Sequence, residues 1–117
     1  MIIGIHHFSI IVSCEETVSF YKKLGFIEVK RIDRQYDTVV LMEGHGIGLE
    51  VFLDSKHIPR SNPEPLGLRN LSLAVDNIDN VLVALRIETG QKRTDWYGNQ
   101  YVFITDPDGN KVQLYEQ

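Results

Sequence analysis

The feature that most constrains the fold is a phrase that the chain contains twice. Residues 4–13 read GIHHFSIIVS and residues 67–76 read GLRNLSLAVD, which places the two segments 63 positions apart. They match at three positions, one of which is the pair Ser9 and Ser72. At most of the other positions an apolar residue is aligned with an apolar residue.

A second pair of segments repeats at the same separation without a gap. Residues 39–55 align with residues 102–117, so that Glu50 falls on Gln113. One such match can arise by chance, whereas two in the same register indicate a duplicated structural module.

The repeat predicts how the chain is divided. We expect module one over residues 1–54, a linker over residues 55–66 and module two over residues 67–117. The linker is rich in proline, which lacks a backbone donor and stiffens a connection; its prolines are Pro59, Pro63 and Pro65. Modules of about 50 residues are too small to be stable alone, so we predict a single domain in which the two sheets join.

Apolar spacing predicts a strand, a helix and three strands, βαβββ, in each module. The first helix is expected to begin at a capping box of Ser13 and Glu16 and to end at Gly25, and Asp76 is expected to cap the second helix. The predicted strands of module one are residues 2–12, 26–33, 37–43 and 47–53. Those of module two are residues 68–75, 91–95, 99–105 and 110–116. The predicted turns are EGHG at 43–46 and DPDG at 106–109.

Alternation along the strands predicts an apolar face that packs on the helix and a second face with polar residues. The polar positions of this second face are equivalent in the two modules: His7, Glu50, Asn70 and Gln113. A pseudo-twofold relation between the modules would bring these four side chains towards one centre. The same parity predicts that His6 points to the helix side and that Arg69 points away from this centre.

The repeated segments resemble those of a known family. The stretches that carry the resemblance are HHFSIIV (6–12), VSFYKKLGF (18–26), GLEVF (48–52), GLRNLSLAVDNID (67–79) and RTDWYGNQYVFITDPDGNKVQLYE (93–116). Over essentially its whole length the chain is similar to the glyoxalase / bleomycin-resistance / dioxygenase proteins, the vicinal oxygen chelate superfamily. The resemblance implies an α+β fold in which two βαβββ modules, related by an internal pseudo-twofold, form a cupped mixed sheet with the helices outside.

The resemblance also implies a divalent metal site with ligands from the first and last strands of each module. Carried over to this chain, the metal ligands would be His7, Glu50, Asn70 and Gln113, but members of the family usually have His and Glu at the last two positions. Amide oxygens are weak ligands for transition metals, so we expect Zn, Ni, Co or Mn to bind weakly or not at all. Gln113 cannot accept a proton near neutral pH, which leaves Glu50 as the candidate catalytic base.

Two interpretations of these four positions remain open: a metal or ligand site, and a hydrogen-bonded polar network that lines the cup without an ion. We expect the cup to bind a small molecule, because such sites are concave and have few polar groups. Candidate ligand-binding residues are Phe52, Arg93, Trp96 and Tyr115. Arg93 would hold a carboxylate or phosphate; the alternative is an Arg93–Asp95 pair beside an aromatic residue at a subunit contact.

The residues and the resemblance support three functions. The first is a metal-dependent lyase or isomerase similar to glyoxalase I (lactoylglutathione lyase). The second is a metal-free protein of the bleomycin-resistance type that binds or sequesters a small molecule. The third is a family member whose catalytic site has decayed, which the sequence does not separate from the second. A ring-cleaving dioxygenase ranks last, because its iron site needs two histidines and one carboxylate.

Composition limits the partners. The net charge of −4 argues against nucleic acid as a partner, because phosphate binding needs a basic face. The chain also lacks a run of Lys and Arg residues that would suggest binding to a membrane surface. The single cysteine, Cys14, excludes an internal disulfide and fits a reducing compartment, so we expect a cytoplasmic protein. The resemblance implies a homodimer. His45, in a turn, and His57, in the linker, are expected to be exposed to solvent.

Overall fold

The computed structural model describes all 117 residues, which divide into two compact units, Met1–Pro59 and Arg60–Gln117. Each unit contains one four-stranded sheet and one helix. The elements of module one are β1 His7–Val12, α1 Glu15–Lys23, β2 Ile27–Asp33, β3 Thr38–Gly44 and β4 Ile47–Leu53. Those of module two are β5 Leu71–Val75, α2 Ile78–Leu85, β6 Arg93–Thr94, β7 Gln100–Thr105 and β8 Lys111–Glu116. The α+β class and the βαβββ order of both modules are confirmed; their union in a single domain stays a prediction.

The strands of the two sheets have the same arrangement. Their order is β1-β4-β3-β2 in module one and β5-β8-β7-β6 in module two. In both sheets the first and last strands are parallel neighbours, and the other pairs are antiparallel. The parallel pairing sets Ser9 opposite Glu50 and Ser72 opposite Gln113. Equivalent polar residues therefore lie on neighbouring strands within each sheet.

Each sheet has a core face, which is buried, and an open face. The last strands show the contrast most clearly, because their core-face residues are almost fully buried: Leu49, Val51, Val112 and Leu114. The side chains that alternate with them, including Glu50 and Gln113, keep part of their surface accessible. The predicted alternation is therefore confirmed in both modules.

Two strands begin three or more residues later than the sequence predicts, and the predicted strand at 91–95 is reduced to the two residues of β6. Strand β1 begins at His7 instead of residue 2, and β5 begins at Leu71 instead of residue 68. Strand β1 is an edge strand whose only neighbour is β4, and His7 lies opposite Gly48, next to the start of β4. Residues before His7 have almost no partner strand left to pair with, so the apolar segment 1–5 remains exposed.

The N-cap of each helix lies one residue later than predicted. The N-cap of α1 is Cys14 instead of Ser13, and the Cys14 side chain makes no capping hydrogen bond. The N-cap of α2 is Asn77 instead of Asp76, and its side chain accepts a hydrogen bond from Asn80 N at 2.9 Å. The shift at α2 places Ile78, which is fully buried, in the first turn. Neither helix has the length and apolar character needed to cross a membrane.

Gly25 ends α1, as predicted. It has a φ of +100°, which favours glycine, and it follows the C-cap Leu24. The ring nitrogen Nε2 of His45 lies 2.6 Å from Leu24 O, so this exposed histidine is tied to the helix end. His57 is only partly exposed, because its Nδ1 lies 2.9 Å from Val12 O.

The turns before the last strands differ in length between the modules. Two residues, His45 and Gly46, connect β3 to β4, and both have positive φ, as this type of hairpin requires. Five residues, 106–110, connect β7 to β8. The buried Asp106 organises this longer turn by accepting hydrogen bonds from the backbone N–H groups of Asp108 and Asn110.

The longer turn makes the gap-free alignment of residues 39–55 on 102–117 wrong for one strand. In module one Val39 lies opposite Phe52, whereas in module two Tyr101, and not Val102, lies opposite Tyr115. A shift of one residue exchanges the two faces of a strand. Tyr101 therefore lies on the open face of module two, and Val102 is buried.

Candidate functional site

The two candidate metal ligands of module one lie next to each other on its open face. His7 begins β1 and Glu50 is in the middle of β4, two residues beyond Gly48, the parallel partner of His7. His7 Nε2 lies 3.3 Å from Glu50 Oε2, and both side chains are partly exposed. A ligand on this face would meet one imidazole and one carboxylate.

His6 lies against His7 and not on the helix side. It precedes β1, so strand parity does not apply to it, and its exposed ring packs edge-on against that of His7. The two Nδ1 atoms are 2.8 Å apart, so one ring donates a hydrogen bond to the other. The prediction for His6 is therefore wrong.

The candidate pair of module two is joined through a serine. Asn70 Nδ2 donates to Ser72 Oγ at 3.1 Å, and Ser72 Oγ donates to Gln113 Oε1 at 2.5 Å. Ser72 lies opposite Gln113 across the parallel pair, which makes the bridge possible. Both amides are therefore partners in one neutral hydrogen-bond chain.

The donor sets of the two modules differ in how well they fit a divalent metal. The 3.3 Å between His7 Nε2 and Glu50 Oε2 is close to the separation of two ligands that each lie about 2.1 Å from one ion in tetrahedral geometry. In module two the carbonyl oxygen of Gln113, which a metal would need, already accepts the Ser72 proton. No cluster of three or more His, Cys, Asp or Glu side chains has the geometry to hold an ion. Module one supplies two potential ligands at a spacing that suits an ion, and module two fits a neutral polar network.

The candidate aromatic contacts Phe52 and Tyr115 lie on the open faces and are both already in contact with polar groups. The guanidinium carbon of Arg34 lies 5.3 Å from the centre of the Phe52 ring. Tyr115 OH donates a hydrogen bond to Asp95 Oδ2 at 2.5 Å. That hydrogen bond raises the pKa of Tyr115 to about 12 and holds the pKa of Asp95 below its ordinary value.

Asp95 also organises the turn that carries Trp96. Its Oδ1 accepts hydrogen bonds from the N–H groups of Tyr97 and Asn99, which hold residues 95–99 as a tight connection between β6 and β7. Trp96 is 90% exposed at the tip of this turn and does not cover Arg93. Asp95 is bonded to Tyr115 and to this backbone, and the alternative Arg93–Asp95 pair is not formed.

Arg93 lines a pocket of about 360 Å³ on the open face of module two. It lies opposite Tyr101, and both belong to the pocket wall together with Phe103, Lys111 and Arg69. The guanidinium carbon of Arg69 lies 5.5 Å from the centre of the Phe103 ring. Phe103 is the cross-strand neighbour of Gln113, so the prediction that Arg69 points away from this face is wrong.

Sequence reasoning missed several residues of the open face, among them Ser72, Tyr101 and Phe103. Ser72 carried a signal, since it is one of the positions repeated between the modules. Tyr101 and Phe103 carried no such signal, because the register that places them on this face depends on the length of the turn at 106–110.

Comparisons with known proteins place the chain in a family. The family model described as Glyoxalase/Bleomycin resistance protein/Dioxygenase superfamily matches residues 4–114. The protein YwkD of Bacillus subtilis (strain 168) is 35% identical over 125 aligned positions, which cover 97% of each chain. A crystal structure of a glyoxalase family protein from Enterococcus faecalis is 32% identical, with a TM-score of 0.87 and 97% of each chain covered. The crystal structure of SMU.1112c is 30% identical, with a TM-score of 0.86, and the match covers 99% of this chain and 100% of that one. The chain belongs to the glyoxalase / bleomycin-resistance / dioxygenase superfamily.

Proposed function

We propose that this chain binds a small organic molecule on the open faces of its sheets and that this binding does not require a resident divalent metal. The observation that carries the proposal is the chain Asn70–Ser72–Gln113. It uses the Gln113 carbonyl oxygen internally and leaves the Gln113 amide N–H groups and the Asn70 carbonyl oxygen for a ligand. Such a pair of donor and acceptor suits a neutral or anionic organic molecule better than a cation.

The aromatic residues of the open faces support the same proposal. Small-molecule sites combine apolar surface with few polar groups, and Phe52 and Tyr115 supply rings beside the polar positions. We expect Phe52, Arg93, Trp96 and Tyr115 to contribute to ligand binding. Trp96 would do so only after moving, because it is now at an exposed turn tip.

The proposal is tested by comparing metal content and ligand binding in the same preparation. Untagged protein is analysed for metal by mass spectrometry, and a fragment library is then screened by NMR before and after treatment with EDTA. We expect little bound metal and ligand affinities that EDTA does not change. Near-stoichiometric metal that disappears in Glu50→Ala but persists in Glu88→Ala, a change at an exposed loop residue, would contradict the proposal.

A second candidate function is a metal-dependent lyase or isomerase of the glyoxalase I type. It is favoured by the 3.3 Å between His7 Nε2 and Glu50 Oε2. In this reading His7 and Glu50 would hold Zn, Ni, Co or Mn, with Asn70 and Gln113 completing the site. A bound ion would stabilise negative charge on substrate oxygens. Glu50 would move the proton, because Gln113 cannot.

The lyase reading has its own test. Turnover of the hemithioacetal of methylglyoxal and glutathione is measured after loading with each metal in turn. Metal-dependent turnover that Glu50→Gln abolishes would establish the lyase, whereas no turnover with any metal would leave the binding function as the better account.

We also propose that the chain forms a homodimer, as the family resemblance implies. The support within the molecule is the apolar segment 1–5, in which Ile2 and Ile3 are more than nine-tenths exposed. Light scattering on an eluting size-exclusion peak measures the mass directly, and a mass of one chain, 13.4 kDa, would contradict the proposal.

A further inference from the structure

One pocket on the open face of module two gathers positive charge in a chain that is acidic as a whole. Arg69, Arg93 and Lys111 all line the pocket of about 360 Å³, although the formal net charge of the chain is −4. One carboxylate, Glu64, accompanies them: it accepts hydrogen bonds from Arg69 at 3.0 Å and from Lys111 at 3.1 Å. These two bonds hold the pKa of Glu64 below its ordinary value, so it stays ionised.

Arg93 is the cation of this group that has no ion-pair partner. Glu64 is shared between Arg69 and Lys111, and no carboxylate forms an ion pair with Arg93. A guanidinium presents a planar fork of donors that matches the two oxygens of a carboxylate or phosphate. The pocket therefore contains an uncompensated anion-binding group.

The wall next to these cations is aromatic. The rings of Tyr101 and Phe103 meet edge to face with their centres 5.8 Å apart, and both line the pocket. Arg69 and Lys111 each lie within 6 Å of the Phe103 ring centre, which fixes the cations against the ring. A flat apolar group can pack on such a wall while a charged group on the same molecule reaches Arg93.

We infer that this pocket binds a small organic oxyanion that carries a flat apolar group, with Arg93 as the residue that holds the oxyanion. The inference rests on the proposed function, because it names the chemical class of the small molecule that the open face of module two takes. Arg69 and Lys111 shape the wall, and Arg93 supplies the free charge.

Four probes separate the charge of the ligand from its ring. Benzoate and phenyl phosphate carry both features, benzyl alcohol carries only the ring, and inorganic phosphate carries only the charge. Binding to the full chain is followed by NMR of backbone amides and by calorimetry at two salt concentrations. We expect the two aromatic anions to bind most tightly, to shift the amides of Arg93, Tyr101 and Phe103, and to bind more weakly at high salt.

Matched variants show whether Arg93 is responsible. We expect Arg93→Gln to weaken benzoate binding by about tenfold or more, since it removes a charge-assisted contact. Arg93→Lys should restore part of the affinity. Arg86→Gln, which removes one exposed guanidinium of the same module outside the pocket, should leave binding unchanged. Circular dichroism of each variant shows that it is folded.

Three results would overturn the inference: benzyl alcohol binding as well as benzoate, no binding of either aromatic anion, or equal binding to wild type and Arg93→Gln. The outcome for the proposed function is separate. Benzoate binding that depends on Arg93 but disappears with EDTA would support the pocket and contradict a metal-free function. Binding of neutral fragments only, unaffected by EDTA, would support the metal-free function and contradict the inference about the pocket.

Discussion

At the scale of single residues, the hydrogen bond between Tyr115 and Asp95 links the titration of two side chains. It raises the pKa of Tyr115 to about 12 and lowers that of Asp95. Asp95 therefore contributes stability above the pKa of an unfolded aspartate, about 4, which is lost as the pH falls through the lower folded pKa. Tyr115 contributes stability below about pH 10, which is lost as the pH rises through about 12.

We predict that Tyr115→Phe lowers the free energy of unfolding at pH 7 and that the difference from wild type fades below about pH 4. Denaturant unfolding at several pH values measures this, and Tyr36→Phe at an exposed position serves as the control. A pH-independent difference would mean that Asp95 is not the partner that matters. Carbon NMR of the Tyr115 ring should show its pKa returning towards 10 in Asp95→Asn.

A second prediction at this scale concerns Gly25. A Cβ added at Gly25 would lie 2.9 Å from His45 Nε2, and the φ of +100° is unfavourable for any other residue. Gly46 also has a positive φ, +80°, but an added Cβ there would meet open space. We expect Gly46→Ala to cost about 1 kcal/mol from backbone strain alone and Gly25→Ala to cost clearly more.

The excess cost at Gly25 should depend on His45. Replacing His45 with Asn, which tolerates positive φ, removes the crowded ring and should reduce the excess in a double-mutant cycle of unfolding free energies. Equal costs for Gly25→Ala and Gly46→Ala would show that the close contact relaxes freely.

At the scale of the elements, the two helices differ in how their first turns are capped. Asn77 accepts a hydrogen bond at the start of α2, whereas Cys14 makes no capping bond at the start of α1. We predict that Asn77→Ala lowers the free energy of unfolding by about 1 kcal/mol and that Cys14→Ser raises it by a few tenths to about 1 kcal/mol. Thermal and denaturant unfolding measure both changes. Cys14→Ala is the control, and a gain with Ala equal to the gain with Ser would exclude capping as the cause.

The elements also show how far the sequence could predict the structure. Element order, the last strand of each module and the apolar alternation followed from periodicity, because burial of one sheet face imposes it. The caps were each wrong by one residue. Asp76 has no stronger capping preference than its neighbour Asn77, but Ser13 has a stronger one than Cys14. The choice is therefore made by the packing of buried first-turn residues such as Thr17 and Ile78. The roles of Arg69, Tyr101 and Phe103 could not be predicted, since they depend on cross-strand register, which the spacing within one strand does not contain.

At the scale of the whole molecule, we predict that the polar pairs of the two modules serve one site. The family resemblance implies that His7, Glu50, Asn70 and Gln113 share a centre. Restoring the residues usual in the family, by Asn70→His together with Gln113→Glu, should then create a four-ligand site. We predict that the double variant binds Zn or Ni at least about tenfold more tightly than the wild type, because imidazole and carboxylate are better ligands than amides.

Calorimetric titration with Zn and Ni measures this gain, and each single variant should show only part of it. Adding Glu50→Ala to the double variant should remove the gain if the sites converge. A double variant that binds no more tightly than the wild type would show that the two pairs act separately.

The longer turn of module two has a consequence for how a duplicated chain can change without losing its core. Buried apolar residues keep equivalent partners in the two modules, Val40 opposite Val51 and Val102 opposite Leu114. The additional length therefore lies within the turn at 106–110, and the strand before it keeps its buried side inward. Surface turns tolerate changes of length at small cost in free energy. Insertion or deletion at such turns can therefore reshape the rim of a sheet while the packing beneath it stays the same.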